Sequence, residues 1–381
     1  MSMMQEARSR MQESRMRVAC CVMGLMLLAA CTSNAPAPIV TWETIPTRIV
    51  VVIPTASPTN TPIPTPTITP TPTLAVVQLT TDGCCVMPSW SPDSKQVLFI
   101  DKPDPQTETG VYAIDITDRS AGPQLAGRVG IYSPDRSLIA YPQDTRTLVE
   151  KISSGERWVI PNNGQSVEFA PDDQHLAWEA EAVSGPYDQR QNEIFVANVN
   201  GKDAAKVARV YGGGLVDWLP RGLGIMFLGR PSLNTHDSTL TVLDLRTNVA
   251  ADLVTAERIS GVRLSNDGTW VSYFISFNPD EKRNGIWVQK TDGSDARKLD
   301  LWGAYQWRDD SHLLVVPART TPDQPFELWQ IDAATGEKQK LTDAAVTPLN
   351  ILNGDWRVSP DGKSVVFVNS ADKNLWLVKL P

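Results

Sequence analysis

Five polar side chains stand at one recurring position of this 381-residue chain: Glu168, Asp217, Arg263, Gln306 and Arg357. Each lies directly before an apolar or aromatic residue that opens a repeated pattern. Two carboxylates and two guanidinium groups brought to one channel could hold a polar ligand or a metal ion, or do acid–base work. The plainer reading is that they pair with one another or with water. A second chemical feature is the adjacent pair Cys84-Cys85, within Asp82-Gly83-Cys84-Cys85-Val86-Met87-Pro88. In an oxidising compartment these thiols can join each other, join another chain or stay reduced. A vicinal disulfide strains the backbone, and strained features gather at functional sites.

Other chemistry is thinly supplied. No G-x-S-x-G elbow occurs, which removes the usual serine-hydrolase signal. Gly362-Lys363-Ser364 lacks the leading glycine of a phosphate loop, since Arg357 stands in that place, and it reads as a hairpin turn. His175, His236 and His312 share no spacing. His175 and His312 fall at strand starts near short turns and are expected to be solvated. His236, in a long loop, is the only histidine kept as a weak site candidate. With three histidines and no Cys/His cluster, no metal site or cofactor is expected. The net charge of −8 argues against nucleic acid, which requires a basic stripe.

The elements that position these residues come from a sevenfold repeat of about 45 residues, the period of a propeller or solenoid. With Pro92, Pro134, Pro171, Pro220, Asn266, Asp309 and Pro360 in register, Trp90, Tyr132, Phe169, Trp218, Leu264, Trp307 and Val358 stand two residues earlier. Val97, Ile139, Leu176, Ile225, Val271, Leu314 and Val365 stand five later. Phe99, Tyr141, Trp178, Phe227, Tyr273, Val316 and Phe367 stand seven later. An inner strand, a Ser-Pro-Asp turn and an alternating second strand are implied. Third and fourth strands follow in most repeats.

The last repeat stops at Pro381 without its fourth strand, while Val77-Gln78-Leu79-Thr80 resembles Gln339-Lys340-Leu341-Thr342. The N-terminal strand can therefore complete the last blade. The predicted fold is all-β: a closed β-propeller of seven four-stranded antiparallel blades, with six or eight as alternatives. Trp90, Trp178, Trp218 and Trp307 are expected to pack in the core. Trp302 stands outside the register, free to stack on a ligand.

Connections between strands one and two, and three and four, are short turns. Those on the opposite rim are long and irregular, as in 101–110, 179–192, 229–238, 276–285 and 317–326. Binding usually sits on long variable loops carried by a rigid scaffold. Tyr187, Asp188 and Arg190, with Glu281, Lys282 and Arg283, are the candidate loop face.

The N-terminal stretch reads separately. Arg15 and Arg17 precede an apolar run over 18–30, too short to span a bilayer but suited to a signal peptide. Leu28-Ala29-Ala30-Cys31 resembles the bacterial lipobox, which implies a diacylglyceryl thioether on Cys31 and cleavage before it. An ordinary signal peptide is the alternative. Residues 36–72 hold ten prolines, mostly alternating with Thr. This is a semi-rigid extended spacer, and at roughly 3.1 Å per residue it reaches on the order of 100 Å. Expected boundaries are a signal over 1–30, a lipidated Cys and disordered tether over 31–75, and the propeller over 76–381.

The repeats resemble those of the TolB-like and WD40-like "PD40" propellers, centred on W-S-P-D-G-K-x-I-A-F. Pro360-Asp361-Gly362-Lys363 matches fully, while Pro220-Arg221-Gly222 and Asp309-Asp310-Ser311 depart. The resemblance covers about four-fifths of the chain. It implies fold and is nearly silent on function. The expected protein is a non-catalytic, membrane-anchored scaffold, monomeric and extracytoplasmic, which binds an envelope protein or surface glycan. A lyase- or lactonase-like propeller enzyme and a small-molecule sensor are the alternatives.

Overall fold

The computed structural model describes residues 48–49 and 74–381, apart from 320, 322, 323, 325, 344–346 and 348. Cys31, the signal region and most of the tether lie outside the described residues.

The described residues are almost all strand and turn. β1 (Arg48–Ile49) and β2 (Val76–Gln78) precede the repeats. β3 (Val86–Trp90), β4 (Gln96–Asp101), β5 (Gly110–Asp115) and β6 (Gln124–Arg128) form one sheet. β7 (Ile131–Tyr132), β8 (Leu138–Gln143), β9 (Arg146–Lys151) and β10 (Arg157–Ile160) form the next. β11 (Val167–Phe169), β12 (His175–Val183), β13 (Gln191–Asn198), β14 (Ala205–Trp218), β15 (Gly224–Arg230), β16 (Ser238–Asp244) and β17 (Val249–Ala256) share a single sheet. β18 (Ile259–Leu264), β19 (Trp270–Ile275), β20 (Gly285–Lys290) and β21 (Arg297–Lys298) follow. So do β22 (Gly303–Trp307), β23 (His312–Pro317), β24 (Trp329–Asp332) and β25 (Lys338–Lys340). β26 (Ile351–Val358), β27 (Ser364–Asn369) and β28 (Leu375–Lys379) make the last sheet, which β2 completes. Val76 pairs with Val378, and Gln78 with Trp376, as the repeat arithmetic requires.

The arrangement is a β-propeller of antiparallel four-stranded units, but the sheets do not divide into seven. Five are separate four-stranded blades, and the third and fourth repeats share one eight-stranded sheet. The cause is β14, which runs unbroken over 14 residues from the end of one repeat into the start of the next. Register shifts near Gly212, Gly213 and Gly214 let it bend. A Cβ on Gly213 would overlap the Leu228 carbonyl, and Gly212 adopts φ +59°. The bend folds the sheet on itself. Ala177 and Ile194, from β12 and β13, join Ile225, Leu243 and Ala250, from β15 to β17, in one buried cluster.

The Ser-Pro-Asp signature has a local cause. Ser91, Ser133, Ser265 and Ser359 are buried. Each hydroxyl donates to the Asp two residues on, at 2.6–2.8 Å. Each also accepts the amide five residues on, at 2.9–3.0 Å. One side chain thereby closes the turn and satisfies the next strand's first donor. These turns also touch around the ring. The Asp135 amide donates to Asp173 at 3.0 Å, Arg308 Nε donates to the Gly362 carbonyl at 3.0 Å, and the Asp361 amide donates to Ser94 at 3.0 Å. His175 and His312 occupy the same turns and face Asp172 and Asp309 at 2.6 and 2.9 Å. They are therefore Asp-paired turn residues rather than simply solvated ones.

The core tryptophans also tie blades together. Trp218 Nε1 donates to the Glu168 carbonyl at 3.3 Å, Trp307 Nε1 to Arg263 at 3.0 Å, and Trp90 Nε1 to Arg357 at 3.1 Å. Trp178, Trp218 and Trp307 are buried as expected; Trp90 is only partly so. Replacing Trp218 by Ala is expected to lower stability by about 3–5 kcal/mol in denaturant unfolding. Ser359→Ala should lower it by about 1–3 kcal/mol, because the Ser364 amide loses its buried acceptor. An unchanged midpoint in either variant would contradict the packing described.

Candidate functional site

The five polar residues of the repeat register lie on inner strands of consecutive units: Glu168 on β11, Asp217 on β14, Arg263 on β18, Gln306 on β22 and Arg357 on β26. The tryptophan bonds above hold the backbone of three of them, Glu168, Arg263 and Arg357. Gln306 is held by its side chain. Its amide donates to the Trp356 carbonyl, and its oxygen accepts the Val358 amide at 3.4 Å. Gln306 is thus a bridge between β22 and β26. Arg357 and Arg263 are exposed, and each guanidinium donates to the carbonyl of the preceding residue.

Glu168 and Asp217 face a third carboxylate, Glu179 on β12. Burial, then the charges of Asp217 and Glu179, push Glu168 up to about 7. Burial also raises Asp217, opposed by the Trp218 amide and by Arg263. Glu179 is raised by burial although its carboxylate accepts the Leu215 amide at 2.6 Å. That bond fastens Glu179 to β14 beside Gly214, where an added Cβ would overlap the carboxylate. Repeat reasoning passed over Glu179, but a signal was present. It stands eight residues after the register position, where the other repeats carry Ile100, Pro142, Leu228, Phe274, Pro317 and Val368. A lone carboxylate in an apolar column marks a polar cluster. A protonated Glu168 between two acids could donate a proton or hold a polar ligand near neutral pH.

The structure divides the remaining candidates between the two rims. Arg357 lines a cleft of about 490 Å³ with Trp90, Trp307, Asn266 and Pro360, at the short-turn end. Trp302 lies on the opposite rim, apart from Arg357. There it lines a second cleft of about 670 Å³ with Phe274, Phe326, Trp356, Arg319 and Ile351. The Trp302 ring is 62% exposed and lies 6.2 Å from that of Phe274. Its place outside the repeat register leaves most of the ring exposed beside Phe274 of the neighbouring sheet.

The long-loop rim also carries Cys84 and Cys85, whose sulfurs are joined. Asp82, Gly83, Cys85 and Met87 all have positive φ, so the backbone is bent sharply on both sides of the pair. Cys85 is buried against Thr80, and the Asp101 carboxylate lies within 4.8 Å of both sulfurs. With the sulfurs joined, neither is a thiolate ligand. In the 184–190 turn Tyr187 is 67% exposed and Asp188 is exposed, while Arg190 Nε pairs with Glu181 at 3.1 Å. Glu281, Lys282 and Arg283 form a 3₁₀ turn capped by Asp280. Arg283 is partly structural: its guanidinium donates to the Thr255 carbonyl at 3.1 Å, and its own carbonyl accepts the Trp287 indole at 2.8 Å.

Fourteen large hydrophobic side chains are exposed among the described residues, and they are not spread evenly. Nine stand on the long-loop rim: Val86, Met87, Val129, Ile131, Val183, Tyr187, Leu233, Phe277 and Trp302. Only Ile152 and Leu223 stand at short turns, and the other three are on outer strands.

These features define a β-propeller, and comparison with known proteins agrees on that class. No family model matches the chain, and no curated protein matches it. Among solved structures, an oligogalacturonate lyase in complex with manganese superposes with TM-score 0.56 and 15% identity, over 80% of this chain and 93% of that one. A putative TolB from Agrobacterium tumefaciens aligns at TM-score 0.39 and 16% identity, over 77% and 89%. Dipeptidyl peptidase 4 of Porphyromonas gingivalis aligns at 0.49 and 13%, over 73% of this chain and 48% of that one. At such identities the likeness is one of fold.

The carboxylate cluster makes stability depend on pH. A carboxyl raised in the folded state contributes stability below its unfolded value near 4.5, and that stability is lost as pH rises through about 7. Glu168→Gln should therefore leave the thermal midpoint nearly unchanged at pH 4. At pH 8 it should raise stability by on the order of 2 kcal/mol. Equal effects at the two pH values would show that Glu168 titrates as an ordinary surface acid.

Proposed function

We propose that this protein is an extracytoplasmic, lipid-anchored propeller of seven blades, two of them fused through β14. In this reading its long-loop rim binds an envelope protein or a surface polymer. The observation that carries the reading is the segregation of exposed apolar and aromatic side chains onto one rim. Exposed apolar patches rimmed by polar groups mark interaction sites. Phe277 and Trp302, 73% and 62% exposed, are large rigid anchors of the kind that dominate interface energetics. The anchor part of the reading rests on Cys31 and the apolar run before it.

A second reading follows from Glu168. A carboxyl poised near 7 between two other acids suits a general acid in a propeller enzyme. The two readings use different ends of the molecule's chemistry and separate cleanly.

In cells, a photo-reactive residue placed at Tyr187 should cross-link one dominant partner. Trp302→Ala with Phe277→Ala should reduce that product at least tenfold, and Glu168→Gln should leave it intact. A partner unaffected by the double variant would remove the rim from the reading. Cys31→Ser should shift the protein from the membrane fraction to the soluble fraction. A variant that stays membrane-bound would remove the anchor.

A further inference from the structure

β1 belongs to no repeat. Arg48 pairs with Ala250 and Ile49 with Ala251, in parallel, on the outer edge of β17. The other ladders between named strands are antiparallel, most of them between strands adjacent in sequence. Part of the stretch expected to be a free tether is therefore sheet.

The edge that β1 occupies differs from the other outer strands. Natural sheets protect free edges with charge, above all lysine, and with short strands. β6 carries Arg128, β10 carries Arg157, and the outer part of β14 carries Lys206 and Arg209. β21 is Arg297-Lys298, and β25 holds Lys338 and Lys340. Most of these cations pair with carboxylates, as Arg128 and Arg157 do with Glu150 at 2.8 and 2.7 Å. β2 lacks a cation but has only three residues. β17 is eight residues long, Val-Ala-Ala-Asp-Leu-Val-Thr-Ala, with no cation. Its Asp252 accepts the Thr241 hydroxyl at 2.8 Å, and Thr255 meets Thr239 at 3.0 Å. It is a long, weakly charged edge, interrupted by one register shift opposite Leu240 and Thr241, of the kind that templates another strand.

The sequence supplies a matching element. Ile49-Val50-Val51-Val52-Ile53 is the longest run of β-branched residues in a stretch otherwise broken by proline, lying between Pro46 and Pro54. β-branched residues fit a pleated ladder, and proline does not. No other feature of the spacer accounts for this run.

We propose that the outer edge of β17 is a strand-capture site, and that its occupant is the chain's own segment at Arg48–Ile49. Capture covers the one long outer strand among the described residues that lacks basic side chains, and keeps copies of the protein from pairing there. It also shortens the spacer. If Cys31 carries the lipid, a consequence that rests on the anchor reading while the pairing itself does not, the free tether ends near residue 47. Its reach is then about 50 Å instead of on the order of 100 Å. The blade that carries β17 would be the flank held towards the membrane.

The test uses the full chain with Ile49→Cys and Ala251→Cys, mildly oxidised, digested and weighed. The expected product is a 49–251 cross-linked peptide in a protein that still runs as a monomer. The control pairs Ile49→Cys with Gln339→Cys on β25 and should yield at least tenfold less. A 49–251 link found in dimers would show that another copy's segment occupies the edge, and would overturn self-capture. Yields equal to the control would overturn the site itself. Independently, Ile49→Pro should speed amide exchange at residues 250–252 at least tenfold with the thermal midpoint unchanged. Unaltered exchange there would also overturn it.

Discussion

An indole N–H that reaches the carbonyl of the preceding inner strand is the interaction on which this architecture turns. Trp90, Trp218 and Trp307 each make it, and the acceptors are Arg357, Glu168 and Arg263. The bond joins a core residue of one repeat to the polar inner-strand position of the previous one. Blade packing and the placement of the polar inner-strand residues are therefore set by the same contact. The Ser–Asp clasps add a second tie at the short-turn rim, where three pairs of neighbouring turns are hydrogen-bonded to each other. In a structure closed by β2 on β28, such ties act as a ring, since every unit needs both neighbours to bury its faces.

The two rims follow from this division of labour. The short-turn rim is occupied by its own hydrogen bonds and by the Asp-paired His175 and His312. Its loops have little freedom to vary. Among the described residues the long-loop rim shows no such Ser–Asp clasp, and it holds most of the exposed apolar side chains. It also holds Trp302 with its cleft and the joined Cys84 and Cys85 with their bent backbone. Rigidity on one rim is what permits irregularity on the other.

Repeat register made the blade strands, the β2 closure and the core tryptophans legible, because each depends on residue type at a fixed spacing. The fusion of two repeats through β14 was not legible in the same way. Gly212-Gly213-Gly214 let the strand bend and pass close to Glu179 and Leu228, which the repeat register does not indicate. Glu179 was visible as a charge in an apolar column, yet its role needs Leu215 and Glu168, each far from it in sequence or on another strand. Gln306 looked like a ligand-facing residue and instead clasps β26. Trp302 could be recognised as standing outside the register, but not as lying on the opposite rim from Arg357.

Local patterns thus determined the all-β class, the repeat length, the turn chemistry and the strand that closes the last blade. Period-two alternation and Ser-Pro-Asp turns act over a few residues, and their physics is complete within the segment. Tertiary structure decided which carboxylates share a site and which rim collects the exposed aromatic rings. It also decided which outer edge receives Arg48 and Ile49. Those outcomes depend on distances between residues far apart in the chain, and on the burial that raises Glu168, neither of which a linear spacing contains.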